Sequence, residues 1–82
     1  MTTVSPRGNS MTPRIESGQL VAVRPLKEGE PSKGDVVLAK VNGRVYLHKV
    51  TARDGNRVQI GNNRGRINGW TDISNVYGRA LV

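Results

Sequence analysis

The chain has 82 residues and a formal net charge of +7, from 13 Lys and Arg against 6 Asp and Glu, and it contains no cysteine. A chain of this length forms one domain, and without cysteine it has neither a disulfide nor a thiolate that could bind metal or attack a substrate. The lone His48 and the scattered acids do not form a zinc-binding pattern. The composition therefore predicts a single domain, residues 1–82, with no metal and no cofactor.

The apolar segments are short. The longest runs, such as residues 36–39, fall far below the roughly 20 residues that span a membrane. The N-terminal residues 1–10 lack the apolar core of a signal peptide. These features predict a soluble, cytoplasmic protein without a membrane span.

Valine-rich runs separated by turn residues predict an all-β domain. Residues 1–7 are expected to form a flexible or extended N-terminal segment. The expected strands are 20–23, 35–41, 44–50, 57–60 and 76–82. A polar loop at 27–34 follows the first strand, and a Gly- and Asn-rich segment at 61–69 precedes the last. Helical periodicity is lacking, so at most a single turn is expected after Ser10 or at 72–76.

The dipeptide Asn42-Gly43 lies between two β-prone runs, which predicts a hairpin with a type I′ turn. A two-residue loop there places Val37 opposite His48. Strand alternation then puts His48 and Lys49 on opposite faces of the sheet. His48 is therefore expected inside a strand, where a histidine is more often a packed residue than a catalytic one.

Four segments in this order resemble the LexA and signal-peptidase superfamily. They read GNSMTP followed by IESGQLVAV at 8–23, GDVVLA at 34–39, VYLHKV at 45–50, and IGNNR with the closing VYGRA at 60–80. The resemblance covers nearly the whole chain from Gly8 onward. It implies the small, coiled, mostly antiparallel β-domain of that superfamily.

The resemblance also implies a serine endopeptidase that uses no cofactor. Ser10 matches the nucleophile that precedes methionine in the family's S-M-x-P motif. The general base of bacterial signal peptidases and LexA-type repressors is the lysine of a Lys-Arg pair, and here that pair reads His48-Lys49. The base would then be His48, as in the endoplasmic-reticulum and archaeal signal peptidases, and Lys49 would match the neighbouring arginine.

Two departures from the family pattern affect the rest of the site. The family's Gly-Asp-Asn is replaced by residues 61–63, GNN, so Asn62 becomes the candidate that orients the imidazole, with Asp72 as a weaker alternative. Gly8 stands where many signal peptidases carry a serine that helps to bind the oxyanion. The oxyanion and substrate-binding segment would then consist of backbone around Ser10, contributed by Gly8, Asn9, Met11 and Pro13.

The implied partner is a peptide or protein substrate that adds to the sheet as a strand. The alternative is a catalytically inactive relative that binds a partner protein or nucleic acid through its basic surface. In that case residues 8–13 form only a turn and residues 61–63 only a loop. Under either interpretation the dispersed cations predict weak, non-specific attraction to nucleic acid.

Overall fold

The computed structural model describes residues 2–5 and 18–82. Within these ranges the chain forms one antiparallel sheet of seven strands and one short 3₁₀ helix, Ile73–Asn75. The strands are β1 (Thr2–Val4), β2 (Val21–Arg24), β3 (Val36–Val41), β4 (Arg44–Asp54), β5 (Arg57–Gly61), β6 (Ile67–Asp72) and β7 (Val76–Ala80). Their order in the sheet is β1-β2-β7-β3-β4-β5-β6. The predicted all-β fold class is confirmed.

The β3–β4 hairpin has the predicted turn and register. Asn42 and Gly43 have φ angles of 49° and 83°, and a type I′ turn needs positive φ at both central positions. Val37 pairs with His48 across the hairpin. The dipeptide therefore fixes which residues of β4 face which side of the sheet.

Strand β4 is longer than predicted. It continues from residue 50 to Asp54, and its second half pairs with β5. A register shift between Val50 and Ala52 leaves Thr51 as a bulge. Bulges bend a strand and increase its twist, so β4 can take part in two differently oriented regions of the sheet.

The two faces of the sheet carry separate apolar clusters. The first core consists of Val21, Val23, Val36, Leu47 and Ala80. The second core consists of Val37, Ala39, Val41, Val50, Val58, Ile60 and Val76. Within β4, Leu47 belongs to the first core and Val50 to the second, as the alternation of strand side chains requires. His48 lies on the same face as Val50 and therefore on the side of the second core.

The sheet coils so that β6 returns to β3, although β4 and β5 lie between them in the strand order. The Thr71 hydroxyl donates a hydrogen bond to the carbonyl oxygen of Lys40 at 2.8 Å. A Cβ placed on Gly69 would lie only 3.3 Å from Cγ1 of Val41. These contacts wrap β3 to β6 around the second core.

An ion-pair network fixes the polar loop between β2 and β3. Glu30 accepts two hydrogen bonds from the Arg24 guanidinium, at 2.7 and 2.8 Å, and one from Arg79 at 2.9 Å. Arg79 also lies 3.3 Å from Asp35. The Arg24 hydrogen bonds are the main reason that the pKa of Glu30 lies well below its usual value.

The described part of the chain contains no helix with the length and apolar character needed to cross a membrane.

Candidate active site

The predicted nucleophile lies outside the described residues. Ser10 and its predicted oxyanion and substrate-binding neighbours all fall within 6–17, and these neighbours are Gly8, Asn9, Met11 and Pro13. The site is therefore built from the residues around the predicted base.

His48 is buried near the middle of β4. It pairs with Val37 of β3, and only 9% of its surface is exposed. On its own strand the ring of Tyr46 stacks against the imidazole, with the ring centroids 5.1 Å apart and the planes inclined by 29°. Apolar and aromatic neighbours thus surround a titratable ring and remove most of its contact with water.

The imidazole forms a hydrogen bond across the coiled sheet. Nδ1 of His48 lies 2.8 Å from Oδ1 of Asn68 in β6. An amide oxygen only accepts hydrogen bonds, so Nδ1 is the donor. In the neutral ring Nε2 is then the basic nitrogen, because neutral imidazole carries a single proton.

Burial and the hydrogen bond act on the pKa of His48 in opposite directions. Burial disfavours the imidazolium and lowers the pKa below 6.5, and the bond to Asn68 opposes this by a smaller amount. The lowered pKa favours the neutral ring over the imidazolium. A neutral, buried imidazole with a defined proton is the form that can accept a proton from a nucleophile.

A second bulge places Asn68 in this contact. Where β5 and β6 pair, Gly61 lies opposite Ile67 and Ile60 lies opposite Gly69. Asn68 is the extra residue between these two pairs. An extra residue interrupts the alternation of a strand and redirects its side chain. The sequence predicts only a Gly- and Asn-rich segment at 61–69, and no local motif marks Asn68 as a partner of His48.

The two predicted orienting residues have partners in their own segments. Asn62 is buried, and its Oδ1 accepts hydrogen bonds from the backbone N–H groups of Arg64 at 2.8 Å and Arg66 at 3.0 Å. Asp72 caps the 3₁₀ helix by accepting from the N–H of Ser74 at 2.9 Å, and this bond lowers the pKa of Asp72. Both contacts organise the local backbone. The orienting roles of Asn62 and Asp72 stay predictions.

Lys49 occupies the other side of β4. It pairs with Val36, whose side chain belongs to the first core. Paired residues of antiparallel strands share a face, so Lys49 lies on the face of the sheet opposite to that of His48.

Among residues 2–5 and 18–82, no group of three or more His, Cys, Asp or Glu side chains is arranged to hold a metal ion.

Comparison with known proteins identifies one family. The model of a family described as peptidase S24-like matches residues 2–64, which is more than half of the 82-residue chain. The matched range includes Ser10 and His48 and ends before Asn68. No curated protein and no solved structure gives a significant match.

Proposed function

The chain belongs to the S24-like peptidase family, within the LexA and signal-peptidase superfamily, and on that premise we propose that it is a serine endopeptidase. Ser10 is the nucleophile and His48 is the general base. The substrate is a peptide or protein, and the pairing of serine with histidine is that of the endoplasmic-reticulum and archaeal signal peptidases.

The observation that carries the proposal is the state of His48. Its ring is buried, its pKa is lowered, and its Nδ1 lies 2.8 Å from Oδ1 of Asn68, an oxygen that can only accept a hydrogen bond. A serine hydroxyl becomes a useful nucleophile only when a base within hydrogen-bond reach takes its proton. In a histidine that carries its proton on Nδ1, Nε2 is the nitrogen that can take the proton of the serine hydroxyl. A lysine would need a pKa several units below its usual value to do the same.

The proposed reaction proceeds in two steps with balanced proton transfers. Oγ of Ser10 attacks the scissile carbonyl while Nε2 of His48 takes the hydroxyl proton, and the resulting imidazolium gives this proton to the leaving amine. Water then attacks the acyl-enzyme. His48 accepts a proton from this water and gives a proton to Oγ of Ser10 as the acyl group leaves. Backbone N–H groups around Asn9 and Ser10 stabilise the oxyanion in both steps.

The substrate binds in an extended conformation and adds to the sheet as a further strand. Main-chain hydrogen bonds to a strand edge supply affinity, and pockets for alternate side chains supply selectivity. This mode suits a domain whose described residues are mostly strands.

A fluorophosphonate probe tests the proposal without knowledge of the substrate, because it forms a covalent bond with an activated serine hydroxyl. We expect the wild-type protein to be labelled at Ser10, as mapped by peptide mass spectrometry, and to cleave members of a peptide library. Labelling and cleavage should both be lost in Ser10→Ala and His48→Ala. Ser32→Ala is the matched control, because Ser32 is exposed and bonds Asp35 through its backbone N–H.

The contradicting outcome is a folded wild-type protein that is neither labelled nor able to cleave any library peptide. That result would favour the inactive binding module instead. Cleavage that persists unchanged in Ser10→Ala would also overturn the assignment of the nucleophile.

A further inference from the structure

One hydrogen bond connects the ring of His48 to a strand on the far side of the coiled sheet. Its acceptor, Asn68, lies 20 residues further along the chain, and the two strands, β4 and β6, are separated by β5. The bond therefore depends on the coiling of the sheet and on the bulge in β6. Its length of 2.8 Å is that of a well-formed hydrogen bond.

The backbone around Asn68 is held closely on both sides. A Cβ on Gly61 would lie 2.8 Å from the carbonyl oxygen of Arg66, and one on Gly69 would lie 3.2 Å from Nδ2 of Asn42. The approach at Gly61 leaves no room for a side chain, and Gly69 has a φ of 137°, a conformation that favours glycine. Farther along β6, the Thr71 hydroxyl bonds to Lys40 of β3. The strand that carries Asn68 is thus fixed to its neighbours before and after the bulge.

The nearby amide of Asn62 is engaged elsewhere. Its Oδ1 accepts from the N–H groups of Arg64 and Arg66. Asn62 therefore closes the turn that leads into β6, whereas Asn68 contacts the imidazole directly. The two asparagines have different structural tasks.

We propose that Asn68 is the positioning residue for His48, with its side-chain oxygen holding Nδ1–H so that Nε2 faces the nucleophile. This inference rests on the proposed function and deepens it. Nδ1 donates to the same oxygen before and after Nε2 accepts the Ser10 proton. The bond therefore keeps the ring in one orientation throughout the reaction and becomes charge-assisted when the imidazolium forms. A comparable amide orients the histidine in papain-like proteases.

Two substitutions of Asn68 distinguish a role in positioning the His48 ring from a role in the stability of the fold. Asn68→Ala removes the acceptor, and Asn68→Asp keeps an acceptor and adds a negative charge. Asn75→Ala is the matched control, since the Asn75 amide bonds to Thr71 of the same strand. All four proteins are compared by nitrogen NMR of the labelled imidazole across pH and by probe labelling and peptide cleavage.

We expect nitrogen NMR to find the proton of neutral His48 on Nδ1 in the wild type. In Asn68→Ala the proton should distribute between both nitrogens, and the titration midpoint should move to lower pH because a bond that raises the pKa is lost. In Asn68→Asp the midpoint should move to higher pH because a carboxylate favours the imidazolium. Asn75→Ala should change neither the nitrogen that carries the proton nor the titration midpoint of His48.

Activity should follow the orientation of the ring. Asn68→Ala should lower kcat by up to about 100-fold with little change in KM, the scale expected when a reacting group is misplaced. Asn68→Asp should recover most of kcat above its raised titration midpoint. An active wild type whose kcat and Nδ1 protonation are both unaffected by Asn68→Ala overturns this inference alone. A wild type without serine reactivity overturns the proposed function, and this inference with it.

Discussion

His48 shows how the surroundings of one residue decide its chemistry. An exposed histidine is partly protonated near pH 6.5, and a protonated ring cannot act as a base. The stacked ring of Tyr46 and the surrounding strands bury His48, which lowers its pKa. The neutral form thus predominates over a wider range of pH than it would in water.

The pH dependence of cleavage tests this state. In the proposed mechanism the neutral form of His48 is the active one, so activity should fall as pH decreases through the pKa of the ring. Because that pKa is lowered, the acid limb should lie below pH 6.5, with a plateau across neutrality. His48→Ala should abolish cleavage, and Lys49→Ala should have a mild effect because Lys49 lies on the opposite face. Peptide cleavage measured against pH for the three proteins checks these expectations.

A different assignment of the base would give the reverse pattern. Activity that survives His48→Ala, disappears in Lys49→Ala and rises only above neutral pH would identify lysine as the base. A circular-dichroism spectrum identical to that of the wild type would confirm that each variant is folded.

At the scale of elements, the sequence predicts local pairing better than distant pairing. Asn42-Gly43 specifies a turn type, and the pairing of Val37 with His48 follows from it. Strand β6 escaped prediction because five of its six residues are exposed or half-buried and only Thr71 is buried, so it lacks an apolar alternation. Its conformation is set by pairing with β5, a tertiary effect that outweighs local preference. The contact of Asn68 with His48 cannot be predicted from the sequence for the same reason.

The close approach of β7 to the end of β2 supplies a test of packing between elements. A Cβ on Gly78 would overlap the carbonyl oxygen of Arg24 and would lie 2.7 Å from Cγ1 of Val23. We expect Gly78→Ala to lower the free energy of unfolding by about 1–3 kcal/mol, because the backbones must separate. Tyr77→Thr, at an exposed neighbouring position of the same strand, should change it by no more than about 0.5 kcal/mol. Urea denaturation of both variants measures the difference, and equal stabilities would contradict the close approach.

The whole molecule carries its positive charge without a marked concentration. The net charge of +7 comes from cations spread from Arg7 to Arg79, and two of them, Arg24 and Arg79, both pair with Glu30 of the polar loop. Electrostatic binding to phosphates depends on how many counterions a surface can release at once. A dispersed surface therefore favours weak binding without sequence preference.

This charge distribution predicts the salt dependence of nucleic-acid binding. Affinity for duplex DNA should be the same for unrelated sequences and should fall by about 10- to 100-fold between 50 and 200 mM salt, as measured by fluorescence anisotropy. Tight binding of one sequence that persists at the higher salt would instead favour the alternative of a binding module.

Strand β1 has a consequence for where the proposed nucleophile can lie. Val4 pairs with Val21, so the residues before Ser10 in the chain are tied to β2. An extended chain from Val4 to Ser10 spans at most about 20 Å, and this bound holds whatever path the chain takes. A tether of limited length raises the effective concentration of the group that it carries. A strand of three residues, too short to add much to either core, in this way limits how far Ser10 can lie from the sheet.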